Sequence, residues 1–113
     1  MIRAIIRPEK EEAVMSGLVG AGFPAVTKSD VTGRGRQCGI QVGTVSYDEL
    51  AKVEIMLVLD DDKVELAIKT ILVAGHTGNF GDGKIFVTPV DDVYTIRNAR
   101  REETLTPISP SNF

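Results

Sequence analysis

The chain opens with a pattern of apolar and charged residues that predicts a strand followed by a helix. Residues 2–6 are mostly apolar, and Pro8 suits the first turn of a helix, where its missing N–H group is not needed. Residues 9–21 carry apolar side chains at the spacing of one helical face, and Gly22 is suited to end that helix. The side chains of this face are Val14, Leu18 and Ala21.

The next segment predicts a second strand that runs into a loop. Residues 23–32 are rich in β-branched side chains, which favour strands. The run at 33–39 contains three glycines in seven residues and predicts a loop. Residues 40–50 alternate only weakly among Gly, Thr, Ser and Asp, so they fit either a continued hairpin or a mobile loop, of which we favour the loop.

The second half of the chain repeats the strand and helix pattern. Residues 53–59 are apolar on both faces, which predicts a central strand, and the aspartates at 60–62 end it. Asp62 and Glu65 have capping-box spacing, which predicts a second helix to about residue 74. A glycine-rich loop at 76–84 and a strand at 85–90 follow.

The order β-α-β-β-α-β predicts a ferredoxin-like α+β fold with an antiparallel sheet. A chain of 113 residues suits one domain, which we place at residues 1–103, followed by a flexible tail at 104–113.

Composition narrows the classes of function. A net charge of −3 and 5% aromatic residues argue against nucleic-acid binding. No apolar run approaches the roughly 20 residues of a membrane span, so no membrane insertion is expected. A lone cysteine, Cys38, and the lack of a secretory signal pattern favour the cytoplasm.

Two loops combine glycines with cations. In residues 33–39, glycines allow backbone N–H groups near an anion, and Arg34 and Arg36 can bind phosphate oxygens. The loop at 77–84 pairs glycines with Lys84. Each loop alone also fits a simple turn, but together they indicate one polyanionic ligand. No nucleophile and base set accompanies the single histidine, so no enzyme activity is expected.

Several segments together resemble the PII family of nitrogen-regulatory signal-transduction proteins over about residues 1–100. The matching blocks are residues 5–8, 33–39, 52–53 and 77–87, and the block Thr-Gly-x-x-Gly-Asp-Gly-Lys-Ile-Phe-Val is the most specific of them. The resemblance implies a trimer that regulates a partner and binds ATP or ADP between adjacent subunits.

Matching positions then imply the ligand contacts. Those for ATP or ADP are Thr27, Gly35, Arg36, Gln37, Val58, Gly81, Asp82, Gly83, Lys84 and Arg97. Thr27 and Val58 are expected near the adenine, and Arg97 is expected to reach the phosphates from the neighbouring subunit. Lys52 is implied to bind 2-oxoglutarate, and Gln37 to hold both that acid and the magnesium that bridges it to ATP.

One position departs from the family in the arginine-bearing segment. A second arginine is usual two residues before Arg97, whereas this chain has Thr95. One phosphate contact is therefore missing unless Arg100 or Arg101 replaces it.

The segment at about 35–51 corresponds to the T-loop, through which family members touch their targets. Tyr47 lacks the sequence context of the uridylylated tyrosine, so uridylylation is not expected. The chain looks most like the nitrogen-fixation branch, which implies a homotrimer or a mixed oligomer with a sister PII protein and direct regulation of nitrogenase. The alternatives are a PII regulator of an ammonium transporter or glutamine synthetase, and a ferredoxin-like module that binds a metal or another small ligand.

Overall fold

The computed structural model describes residues 1–34 and 50–103, which form a four-stranded sheet, two helices and a small hairpin. The strands are β1 (Ile2–Ile6), β2 (Thr27–Gly33), β3 (Leu50–Leu57) and β4 (Gly83–Val87), and the helices are α1 (Glu11–Gly20) and α2 (Val64–Gly75). The strand order is β2-β3-β1-β4, and every neighbouring pair is antiparallel. The predicted ferredoxin-like α+β fold is confirmed.

Five residues of interest lie outside the described parts of the chain. They are Gly35, Arg36, Gln37, Cys38 and Tyr47, together with most of the predicted T-loop and the whole predicted tail. The strand β3 begins at Leu50, so Leu50 and Ala51, at the end of the predicted T-loop, belong to the sheet.

The core lies between one face of the sheet and the two helices. Alternate side chains of β1 are buried, and the register pairs Ile2 with Leu57 and Ile6 with Val53, so the buried sides of β1 and β3 share a face. This face packs against apolar side chains of both helices, namely Val14, Leu18, Ala67 and Ile71. The opposite face carries Arg3 and Phe86, both of which are exposed.

Both helices start later than predicted because a 3₁₀ turn precedes each of them. The first turn covers Pro8–Lys10 and the second Asp61–Lys63. Asp62 lies inside the second turn, Lys63 occupies the N-cap position of α2, and no side chain caps the helix. The predicted Asp62–Glu65 capping box was therefore wrong.

The end of α1 was predicted correctly. Gly22 has a φ of +96°, a left-handed conformation that glycine adopts without a steric penalty. Its N–H donates to the carbonyl of Val19 at 3.0 Å, and the Phe23 N–H donates to the carbonyl of Leu18 at 2.7 Å. These bonds close the last turn of the helix.

Strand boundaries differ from the sequence pattern in β2, β3 and β4, and β4 spans Gly83–Val87 rather than 85–90. The second strand starts at Thr27 rather than at residue 23, since Pro24 lacks the N–H group that a ladder uses. The third strand ends at Leu57, so Val58 and Leu59, which were predicted to belong to it, lie after its end. The sequence also gave no sign of the hairpin made by β5 (Tyr94–Thr95) and β6 (Arg100–Arg101).

The helices in the described parts of the chain are short. None of them is long and apolar enough to cross a bilayer.

The start of β4 depends on a glycine. A Cβ atom on Gly83 would lie 1.7 Å from the carbonyl oxygen of Ile5, and Gly83 has a φ of +100°. We therefore expect Gly83→Ala to lower the free energy of unfolding by about 2–4 kcal/mol, because strand β4 must move away from β1. Urea unfolding followed by circular dichroism measures this loss.

Gly20→Ala is the matched control. A Cβ atom there would meet nothing within 4 Å, so the change should be neutral or stabilise by up to about 1 kcal/mol. Equal unfolding free energies for Gly83→Ala and wild type would contradict the close approach of Gly83 to β1.

Candidate functional site

Two cavities divide the residues predicted to bind ligands. The arm cavity lies between the end of β3 and the β5–β6 hairpin, has a volume of about 380 Å³ and is lined by Thr27, Val58 and Arg97. The loop cavity lies beside the loop at 76–83, has a volume of about 690 Å³ and is lined by Lys52 and Lys84. Gly81, Asp82 and Gly83 also line the loop cavity.

The arm cavity is mostly apolar with a few polar groups. Its apolar walls include Phe23, Met56 and Leu59, and Ile96 lines it from the hairpin. The polar side chains are Thr27, Thr95, Arg97 and Glu102. An apolar slot with a few polar groups is the usual composition of a site for a flat organic ring.

The loop cavity is rich in cations. Lys52 is the single charged side chain among the described residues that is buried, with 8% of its surface exposed. Its ammonium group donates a hydrogen bond to the carbonyl oxygen of Gly81. Lys84 is exposed and makes no ion pair within residues 1–34 and 50–103, so its charge is available to an anion.

The loop at 76–83 is folded around the carboxylate of Asp82. The N–H groups of Thr77 and Gly78 donate to Asp82 Oδ2 at 2.8 and 2.9 Å, and the Thr77 hydroxyl donates to Oδ1. These bonds from Thr77, with the Arg7 guanidinium, hold the pKa of Asp82 well below its usual range. His76 Nδ1 lies 3.8 Å from Oδ2.

Arg7 joins this loop to the end of β1. Its Nε donates to Asp82 Oδ1 at 2.9 Å, and its Nη2 donates to the carbonyl oxygen of Phe80 at 2.7 Å. Its Nη1 lies 3.7 Å from Glu9 Oε1. The Asp82 carboxylate is thus engaged both within the loop and by Arg7.

Sequence reasoning missed Arg7 and Thr77. Both lie in blocks that carried the family resemblance, but neither was assigned a role. Thr77 and Asp82 are five residues apart, and residues of these types at short spacing often form local side-chain-to-backbone hydrogen bonds, so the sequence did contain a signal for this contact. The Arg7–Asp82 contact spans 75 residues, so only the folded chain identifies it.

The sheet register sets the two cavities apart. Thr27 pairs with Met56, which pairs with Arg3 near the start of β1, whereas Gly83 pairs with Ile6 at the end of β1. Thr27 and Gly83 are therefore offset by three residues along the strands, which is about 10 Å, and by three strand spacings across the sheet, which is about 14 Å. One chain therefore groups Thr27, Val58 and Arg97 at one place and Lys52 with the glycine loop at another.

Asp82 should make stability depend on pH below about 5. Its folded pKa is depressed, so its stabilisation is present above the unfolded pKa of about 3.9 and is lost as pH falls toward the folded value. We expect Asp82→Asn to be less stable than wild type near pH 5, with a difference that shrinks as pH falls below about 4. Urea unfolding at pH 5, 4 and 3 measures it.

Asp30→Asn provides the control for this series. Asp30 is an exposed residue of β2 and forms no ion pair in the described parts of the chain. Its replacement should leave the pH dependence unchanged. A constant gap between Asp82→Asn and wild type from pH 5 to 3 would show that the Asp82 charge does not hold the loop.

Comparison with known proteins places the chain in a family. The family model described as "Nitrogen regulatory protein P-II" matches residues 1–100. The chain is 52% identical over 105 residues to "Nitrogen fixation nifHD region GlnB-like protein 1" of Methanothermobacter marburgensis, covering 93% of this chain and 98% of the relative. A Methanosarcina barkeri protein, "Nitrogen fixation nifHD2 region GlnB-like protein 1", is 50% identical over 101 residues, covering 89% and 96%.

A solved structure agrees with these relatives. The crystal structure of Arabidopsis thaliana PII bound to citrate has a TM-score of 0.78 and 37% sequence identity, and the match covers 96% of this chain and 89% of that one. Sequence and fold thus point to the same group over nearly the whole described chain. The chain belongs to the P-II family of nitrogen regulatory proteins.

Proposed function

We propose that this chain senses ATP or ADP together with magnesium and 2-oxoglutarate, and that it regulates nitrogenase by direct contact through its T-loop rather than by catalysis. The observation that carries the proposal is the division of the predicted ligand residues into two half-sites, the arm cavity and the loop cavity. Each half-site has the chemistry of one part of a nucleotide.

The arm cavity suits the adenine. Its apolar walls can hold a flat ring, and Thr27 offers a hydroxyl at the edge. The loop cavity suits the phosphates, since Lys84 forms no ion pair in the described chain and two glycines with positive φ, Gly81 and Gly83, line the cavity. In the proposed trimer the loop cavity of one subunit faces the arm cavity of the next, so that Arg97 reaches the phosphates.

Lys52 is the proposed contact for 2-oxoglutarate. It lines the loop cavity together with the glycine loop, and its ammonium group already bonds to an oxygen atom there. A carboxylate of the acid would replace the Gly81 carbonyl as the acceptor. The proposed magnesium contact, Gln37, and the phosphate contacts Gly35 and Arg36 lie outside the described residues.

The proposed target follows from the relatives. Two of them are named for the nitrogen-fixation nifHD region, and they match this chain over nearly their whole length. This supports nitrogenase over an ammonium transporter or glutamine synthetase as the regulated partner. A switch of this kind works only if the ligands bind one loop arrangement more tightly than the other.

Calorimetry of the assembled protein tests the ligands. We expect Mg-ATP to bind, and 2-oxoglutarate to bind only when Mg-ATP is present. Lys52→Met, which keeps the buried aliphatic length, should weaken binding of the acid by roughly 10- to 100-fold, because a charged hydrogen bond is lost.

Lys69→Ala is the matched control, since Lys69 is an exposed residue of α2 that does not line the loop cavity. It should leave both titrations unchanged. Tight binding of 2-oxoglutarate to Lys52→Met would show that Lys52 does not contact the acid. A wild-type protein that binds no nucleotide would contradict the sensor function.

Capture of the partner tests the target. We expect immobilised protein to retain a nitrogenase component without 2-oxoglutarate and to release it when Mg-ATP and 2-oxoglutarate are added, because the ligands select the other loop arrangement. Retention is measured by immunoblot of the eluate. Retention of glutamine synthetase or an ammonium transporter instead would favour the alternative PII functions.

A further inference from the structure

We infer that Arg100 is a nucleotide-binding residue, which acts with Arg97 as a pair of guanidinium groups on the phosphates at the mouth of the arm cavity. The inference rests on the proposed nucleotide-binding function. It concerns a residue of the β5–β6 hairpin to which the family resemblance assigned no contact.

The hairpin register places Arg100 on the side of the cavity. β5 and β6 pair Thr95 with Arg100 and Tyr94 with Arg101. Residues directly opposite each other in an antiparallel pair project from the same face. The Thr95 hydroxyl donates to the carboxylate of Glu102, which lines the arm cavity and stands two residues after Arg100. Side chains two residues apart on a strand project from the same face, so Arg100 leaves the hairpin on the side of Thr95 and Glu102, and it is exposed.

The neighbouring arginine is already used within the hairpin. Arg101 Nε lies 2.7 Å from Asp92 Oδ1, so a carboxylate neutralises its charge. Arg101 also stands opposite Tyr94 and therefore projects from the other face of the hairpin. Arg97 and Arg100 form no ion pair within residues 1–34 and 50–103, so both charges remain available.

Glu102 decides where an anion can bind in this cavity. Its carboxylate lines the cavity and accepts a hydrogen bond from the Thr95 hydroxyl. A second negative charge beside it would be repelled, so the phosphates bind away from Glu102. Arg97 lines the cavity, and both Arg97 and Arg100 are exposed to solvent, so both can reach an anion outside it.

A comparison of ligands that differ only in phosphates tests this assignment. Calorimetry with Mg-ATP and with adenosine is carried out on the assembled wild type, Arg100→Gln and Arg101→Gln. We expect Arg100→Gln to lower the affinity for ATP about 10- to 100-fold and to leave the affinity for adenosine within about twofold of wild type. The affinity of this variant for ATP should also depend less on salt concentration. Arg101→Gln should leave the affinity for ATP within about twofold of wild type.

The outcomes separate the inference from the function it rests on. Unchanged ATP affinity in Arg100→Gln, with ATP bound by wild type, overturns the role of Arg100 and leaves nucleotide sensing intact. Equal losses of ATP and adenosine would indicate a folding role for Arg100 and overturn the phosphate contact. A loss in Arg101→Gln as large as in Arg100→Gln would contradict the assignment of faces. Failure of wild type to bind ATP refutes the proposed function and the inference together.

Discussion

The Asp82 carboxylate accepts hydrogen bonds from the Thr77 and Gly78 backbone, the Thr77 hydroxyl and the Arg7 guanidinium. Glycines with positive φ at 78, 81 and 83 leave the loop many conformations in the unfolded chain, and folding must suppress them. The hydrogen bonds to Asp82 hold the loop in one conformation, and Arg7 attaches the loop to the end of β1. The positions of Lys52 and Lys84 relative to any anion depend on this attachment.

Under the proposed function, the separation of the two cavities would give the protein a reason to assemble. A contact in which the arm cavity of one copy meets the loop cavity of the next is a head-to-tail contact, and such contacts close into a ring when the rotation between copies allows it. Under the proposed trimer, every ligand would then bridge two copies. A ligand bound at one site would then affect the geometry of both copies that it bridges, and this would couple binding at one site to binding at the others.

The sequence predicted the fold well because alternation and helical spacing reflect burial directly. It misplaced the helix starts because the 3₁₀ turns at Pro8–Lys10 and Asp61–Lys63 share their residue preferences with the first turn of an α-helix. The glycine-rich loop was predicted from its composition, and Gly78, Gly81 and Gly83 have the positive φ values that glycine tolerates. The Arg7–Asp82 contact could not be predicted, since it joins distant residues that only the folded chain brings together. The sequence alone also could not predict that Arg100 pairs with Thr95 and Arg101 with Tyr94, which is the pairing from which we infer a role for Arg100.

Lys52 has a consequence for selectivity that follows from its burial. Its ammonium group has already left bulk water and has exchanged hydration for the Gly81 carbonyl oxygen. A ligand that approaches it does not have to remove that hydration, so the dehydration cost falls on folding rather than on binding. A neutral oxygen would gain little by replacing the carbonyl, whereas an anionic oxygen adds a full charge interaction. Under the proposed role of Lys52 as a ligand contact, the buried lysine would discriminate between acceptors by their charge.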